Sequence, residues 1–375
     1  MTEAAPHATA LEDPNLTSIA PGVGERTKGL RLALIALAGV SLLTGLNAGL
    51  LRLGVWAPVA SDRIADLHGP VMVFGFMGTL ISLERAQALR NPLAYLAPGL
   101  LGVGSLALLT GAPLALGKLL LFDGGLAFVG VAVALWVRAP LGLVAAQALS
   151  ALFVALGAGA WLFAEIPAVV PLLAAFLIIT IASERAELAQ LTMGRRAVPM
   201  LLTLGSLVGV AAALATVLPS VGGRLLGLGC LLISLWLVRD DVGRRMIRTS
   251  GLRRFNAAAL LAGNLWLAVA GSVWLLVGQP TAAGTYDAVI HAVFLGFGMT
   301  MIMAHAPIIF PAVLGRPLPY HLFMWVPLVT LNIGMLLRLT GGLAQITPLY
   351  HLGGSLTVAA VLLFAVTVVV SVVKG

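Results

Sequence analysis

Charge is what this sequence has least of. Only 10% of its 375 residues are Asp, Glu, Lys or Arg, against about 25% in an ordinary soluble domain, so a water-facing surface cannot be assembled from it. Cysteine is nearly absent as well. The single Cys230 excludes an intrachain disulfide and a thiolate metal cluster, and it reads as a small apolar packing residue. Histidine occurs six times, few enough that each one within an apolar run can be weighed by itself.

What remains is apolar: 60% hydrophobic residues and a mean hydropathy of +1.06. A membrane-spanning helix needs roughly 20 mainly apolar residues. Such runs fall near 30–54, 65–88, 92–112, 115–137, 141–163, 167–190, 197–218, 223–238, 255–277, 287–314, 321–341 and 350–373. The expected fold class is an all-α integral membrane protein with twelve transmembrane helices. Residues 1–29 are polar, contain proline and lack the apolar core of a signal peptide, so they read as a disordered cytosolic tail. The net charge of +8 does not call for nucleic acid, because basic residues gather on one face of a membrane. Arg52, Arg63, Lys118, Arg224 and Arg338 fall on one side of a twelve-span chain, and the other basic residues fall on the opposite side or in the tails. By the positive-inside rule both termini are cytoplasmic, and the expected location is the inner (cytoplasmic) membrane.

The chain also repeats itself. Ile81-Ser82-Leu83-Glu84-Arg85-Ala86 in the second span returns as Ile181-Ala182-Ser183-Glu184-Arg185-Ala186 in the sixth, and Leu135-Trp136 returns as Leu235-Trp236 at the same offset. A fainter third copy pairs His68 and Phe74-Gly75 with His291 and Phe297-Gly298. Internal repeats are a frequent device in membrane proteins. The expected organisation is three four-helix units, residues 30–138, 141–254 and 255–375, rather than two halves of six.

Ionisable residues inside spans are costly and are functional candidates by default. Here they are His68, Glu84, Glu184, His291, His305 and Asp123, with His321 and His351 at span ends. His68 follows Asp66 and His291 follows Asp287, each about one helical turn below the outer end of an even-numbered span. The two imidazoles are therefore expected at one depth, a ligand-pair arrangement that suits a low-spin haem in a bundle core. The competing reading is two separate histidines, each hydrogen-bonded to a carbonyl. Around them, Gly69, Met72, Phe74, Gly75, Phe76 and Met77 on one span, and Ala292, Gly296, Gly298 and Met299 on the other, offer close approach and packing for a flat ring; glycine serves helix packing equally well. His305 lies about 21 Å further along the tenth helix. It cannot share that iron, so it takes a structural hydrogen bond, accepts protons, or ligates a second haem or a copper. Glu84-Arg85 and Glu184-Arg185 read as cytoplasmic-end anchors and ion pairs between units. His351 is expected near the level of His68 and His291, hydrogen-bonding a haem propionate or a group behind it, with Arg52 and Arg63 as charge partners.

In plan, three four-helix units with histidines on spans two and ten resemble the haem–copper oxidase catalytic subunit. In local wording the chain resembles the NnrS family, membrane haem proteins associated with nitric oxide metabolism. The words that carry this are His68, Met72 and Phe74-Gly75-Phe76, then His291-Ala292, Gly298-Met299-Thr300 and Gly315-Arg316-Pro317-Leu318. The resemblance implies a b-type haem and nitric oxide or a quinol as reactant. It also implies a haem-dependent oxidoreductase or electron carrier. Spans six and seven lack the histidines with which the oxidases bind copper, so an oxygen-reducing haem–copper centre is not expected. Gly69-Pro70-Val71 stands where NnrS proteins commonly carry an acidic residue and a second histidine. The alternative function is a proton-coupled transporter using intramembrane histidines; an assembly factor for a respiratory complex is a third.

Overall fold

In a bilayer an unpaired backbone N–H or C=O has no water to bond, so a sequence this apolar can cross only as helices that close their own hydrogen bonds. The computed structural model describes residues 21–314 and 318–374, and no strand occurs among them. Residues 1–20 of the expected tail, and Gly315-Arg316-Pro317 of the span-ten wording, lie outside the described residues, whereas residues 21–29, expected as tail, are helical and begin α1. The long helices are α1 (Pro21–Leu53), α2 (68–89), α3 (Leu96–Leu109), α4 (Leu114–Arg138), α5 (Gly142–Ala160) and α6 (Ile166–Leu188). They continue with α7 (Ala197–Val217), α8 (Pro219–Asp240), α9 (Gly251–Val277), α10 (283–314), α11 (Trp325–Leu343) and α12 (Thr347–Lys374).

Among the described residues, eleven segments are long and apolar enough to cross a membrane, counting α3 with the 3-10 turn Pro92–Tyr95 before it. The helix outside that set is α2, which opens on His68-Gly69-Pro70 and carries Glu84 and Arg85 near its end. The chain is an all-helical, multi-pass, membrane-embedded protein. Its helices fall close to the hydropathy runs, with α8 beginning at Pro219 rather than 223 because the glycines there are already helical.

Two helices are far more enclosed than the rest. The apolar window of α6 is 83% buried and that of α10 72%, whereas the other candidate spans lie between 39% and 56%. In α2 every residue from Val71 to Thr79 except Met72 is buried. These three helices touch one another. Arg85 of α2 donates to Glu184 of α6 at 3.2 Å, a Cβ on Gly298 of α10 would press on Leu177 of α6, and the His68 and His291 rings of α2 and α10 lie 6.2 Å apart. They form the middle of the bundle, with the remaining helices outside. Lipid supplies no hydrophobic drive between helices, so close backbone approach and polar contacts hold them. The crossing of α11 and α12 shows this. A Cβ on Gly353 would meet the Arg338 backbone nitrogen, and one on Gly341 the Tyr350 backbone, so only glycine lets these helices meet there.

Both inner helices α2 and α10 change gauge within three residues of their histidines. Val71–Gly78 and Ala292–Met299 are π-helical, eight residues each, before ordinary α-helix resumes at Thr79 and Thr300. Such stretches are rare and frequently mark functional sites. Each ends on a fully buried threonine whose hydroxyl has no partner among the described residues.

Candidate functional site

His68 begins α2, after a short helix (Asp62–Asp66) capped by the Ser61 hydroxyl, and the loop ahead is tied back to α1 by two hydrogen bonds between the Asn47 amide and Val59. The His68 Nδ1 lies 2.7 Å from the Gly45 carbonyl oxygen of α1. A carbonyl can only accept, so Nδ1 carries the proton and Nε2 keeps its lone pair. Gly49, one turn further along α1, makes room for the ring: a Cβ there would stand 3.1 Å from His68 Cε1. Gly45-x-x-x-Gly49 is thus a small-residue groove turned toward α2, Gly45 facing Met72 and Gly49 the imidazole. We expect Gly49→Leu to push the ring off the Gly45 carbonyl and to lower the amount of any ligand bound through His68 by tenfold or more, measured as ligand retained per purified chain. Retention at the wild-type level would show that the ring does not need the groove.

His291 ends the first segment of α10. Its Nδ1 lies 3.0 Å from the Asp287 carbonyl oxygen and 3.1 Å from the Asp287 carboxylate Oδ1, so here too Nδ1 is the protonated nitrogen and Nε2 the free one. The two rings are inclined by only 22°, with centroids 6.2 Å apart. That is too far for face-to-face van der Waals contact, which is closer to ~3.5–4 Å between carbons. It is close to what two imidazoles need to bind one atom between them at metal–nitrogen distances of about 2.0 Å. A metal-bound histidine almost always donates its other N–H to a carbonyl or carboxylate, and both rings do so here.

Both histidines line one open-sided cavity. Its wall is mostly apolar: Met72, Val73 and Met77 of α2, Val170 and Leu173 of α6, and Phe294 and Met299 of α10. Phe74, expected against a flat ring, instead lies nearly parallel to the Trp161 ring with centroids 6.1 Å apart, and Gly296 and Gly298 serve packing against Trp266 and Leu177. Polar groups in the wall are few and placed. Arg338 of α11 donates from Nε to Asp287 Oδ2 at 2.9 Å and from Nη2 to Oδ1 at 2.7 Å, and the Tyr350 hydroxyl donates to the same Oδ1 at 3.0 Å. The donor set suits a haem: two imidazoles whose Nδ1 atoms are tied to acceptors, an apolar enclosure and one buried cation. Among the described residues no group of three or more His, Cys, Asp or Glu is placed to hold a metal ion; a haem asks the protein for only two.

Other candidates lie elsewhere. His351 is half-buried beside Tyr350 and is not among the residues lining the cavity; its neighbour Tyr350 reaches the Asp287–Arg338 pair instead. Arg52 pairs with Asp66 at 3.7 Å in an exposed position, and Arg63 donates to the Leu108 and Ala112 carbonyls. His321 and Asp123 are exposed. His305 is buried in a second polar cluster, its Nε2 accepting from Arg185 Nη1 at 3.0 Å, while its ring also bonds the Met301 carbonyl. In that arrangement neither nitrogen keeps a lone pair for a metal. Arg185 holds Asp241 with two further hydrogen bonds of 2.7 and 2.8 Å.

Arg338, Tyr350 and the Gly45–Gly49 groove were not singled out from the sequence. An arginine within an apolar run is a signal for the first, and a glycine pair at that spacing for the last; nothing in the sequence distinguishes Tyr350.

Neither the curated proteins nor the solved structures include a match to this chain. A protein-family model matches residues 31–373, almost the whole helical portion, under the description domain of unknown function (DUF8744). The chain belongs to that family.

Proposed function

We propose that this protein is a membrane-integral haem protein resembling NnrS, holding one b-type haem between His68 of α2 and His291 of α10. The observation that carries this reading is the pair of imidazoles at 6.2 Å with both Nδ1 atoms tied to acceptors. In the same reading α2 spans the membrane with the eleven other helices, giving twelve spans with both termini cytoplasmic in the inner membrane. The three inner helices α2, α6 and α10 stand at every fourth position, which supports three four-helix units. Arg85 reaches from the first unit to Glu184 of the second, and Arg185 from the second to His305 of the third.

A haem with two axial imidazoles supplies one-electron exchange, which fits electron transfer or the handling of nitric oxide. The protein's share is to fix the two imidazoles, exclude water with the methionine and leucine wall, and keep a buried cation beside them. The test is the optical spectrum of the purified full-length chain. One haem per chain, with a Soret band that sharpens on dithionite reduction, is the expected result. A colourless preparation from haem-supplemented cells would sink the reading. It would favour the proton-coupled transporter, for which the buried Arg185, Asp241 and His305 cluster is the supporting feature.

A further inference from the structure

The two histidines share a motif but not a partner. His68 donates to a neutral carbonyl, whereas the His291 N–H lies between a backbone carbonyl and a carboxylate, both of Asp287. We propose that Asp287 is a positioning residue that makes His291 the more electron-donating of the two imidazoles, with Arg338 and Tyr350 setting how strongly it does so. The inference rests on the bis-histidine haem reading and deepens it.

The geometry is specific. Oδ1 of Asp287 lies 3.1 Å from His291 Nδ1, beside the Asp287 backbone carbonyl oxygen at 3.0 Å, and it also receives Arg338 Nη2 at 2.7 Å and the Tyr350 hydroxyl at 3.0 Å. A carboxylate oxygen that accepts several donors divides its basicity among them, so each added donor weakens its pull on the imidazole proton. Arg338 is 8% exposed and keeps the carboxylate ionised where an unpaired one would be costly. Its backbone is fixed by the Gly353 crossing, and the Tyr350 ring lies 5.1 Å beneath its guanidinium. Three elements therefore converge on one oxygen, while among the described residues the His68 ring bonds the Gly45 carbonyl alone. Hydrogen bonds to the far nitrogen raise the basicity of a ligating histidine, and a more basic ligand favours the more oxidised iron.

The signs follow. Asp287→Asn removes the anion, so the midpoint potential of the haem shifts positive. Tyr350→Phe leaves the charge and the arginine pair but takes one donor from Oδ1, so the potential shifts negative. A purely structural role does not give shifts of opposite sign. The experiment is redox titration of the full-length, detergent-purified holoprotein, with haem per chain measured alongside. Should Asp287→Asn fail to fold because Arg338 is left buried and unpaired, Tyr350→Phe still decides. A negative shift with full haem supports the inference, and an unchanged or positive one overturns it while the bis-histidine reading stands. Wild-type protein without haem overturns both.

Discussion

His68→Ala and His291→Ala are each expected to abolish the low-spin haem spectrum or convert it to a high-spin one, while His305→Ala leaves it as in the wild type. A six-coordinate iron that loses one imidazole becomes five-coordinate or takes up water, and its optical bands move. Each alanine also leaves a gap where a ring stood. Added imidazole should therefore restore the low-spin bands in part, because Gly49 on one side and the apolar wall on the other leave the ring's volume free. His305 serves as the internal control, since its ring is occupied by Arg185 and Met301. Retention of unchanged bands and a full haem complement in both single variants would remove the bis-histidine arrangement.

The helices were legible because hydropathy is a bulk property: apart from α1, which begins at Pro21 rather than 30, the runs of the sequence and the helices of the structure agree to within a few residues, and α6 emerges as the most buried of the candidate spans. The proximity of His68 and His291 was legible from their depth. Angular arithmetic was not. Counting rotation at 3.6 residues per turn assumes unbroken α-helix, and the π-helical stretches Val71–Gly78 and Ala292–Met299 take up extra residues per turn. Any phase carried across them, from His68 to Glu84 or from His291 to His305, is altered. Contacts between distant helices were legible only in part. Glu84-Arg85 and Glu184-Arg185 read as ion pairs between units, and Arg85 does meet Glu184. Yet Arg185 turns to Asp241 and His305, which no local pattern encodes. His351 drew attention as a histidine, but residues adjacent on a helix diverge by about 100°, and it is Tyr350 that meets Arg338 and Asp287.

Arg185→Met is expected to destabilise the fold by roughly 3–5 kcal/mol, the range for removing one member of a buried ion pair. The guanidinium and carboxylate side chains are only 6% and 3% exposed, and the pair is bidentate, the stronger geometry for such contacts. Without the arginine, Asp241 keeps the Val242 N–H at 2.6 Å but loses both charged donors, and His305 Nε2 loses its donor too. Replacing both partners at once, Arg185→Met with Asp241→Leu, should recover most of the loss, because an apolar pair of similar volume removes the uncompensated charge. Reversible unfolding in mixed micelles, followed by circular dichroism, reads both variants. The haem spectrum of each should stay as in the wild type, since no residue of this cluster lines the cavity. A loss below about 1 kcal/mol for the single variant, the range of exposed pairs, would mean that Arg185 and Asp241 are hydrated and do not lock α6 to the end of α8.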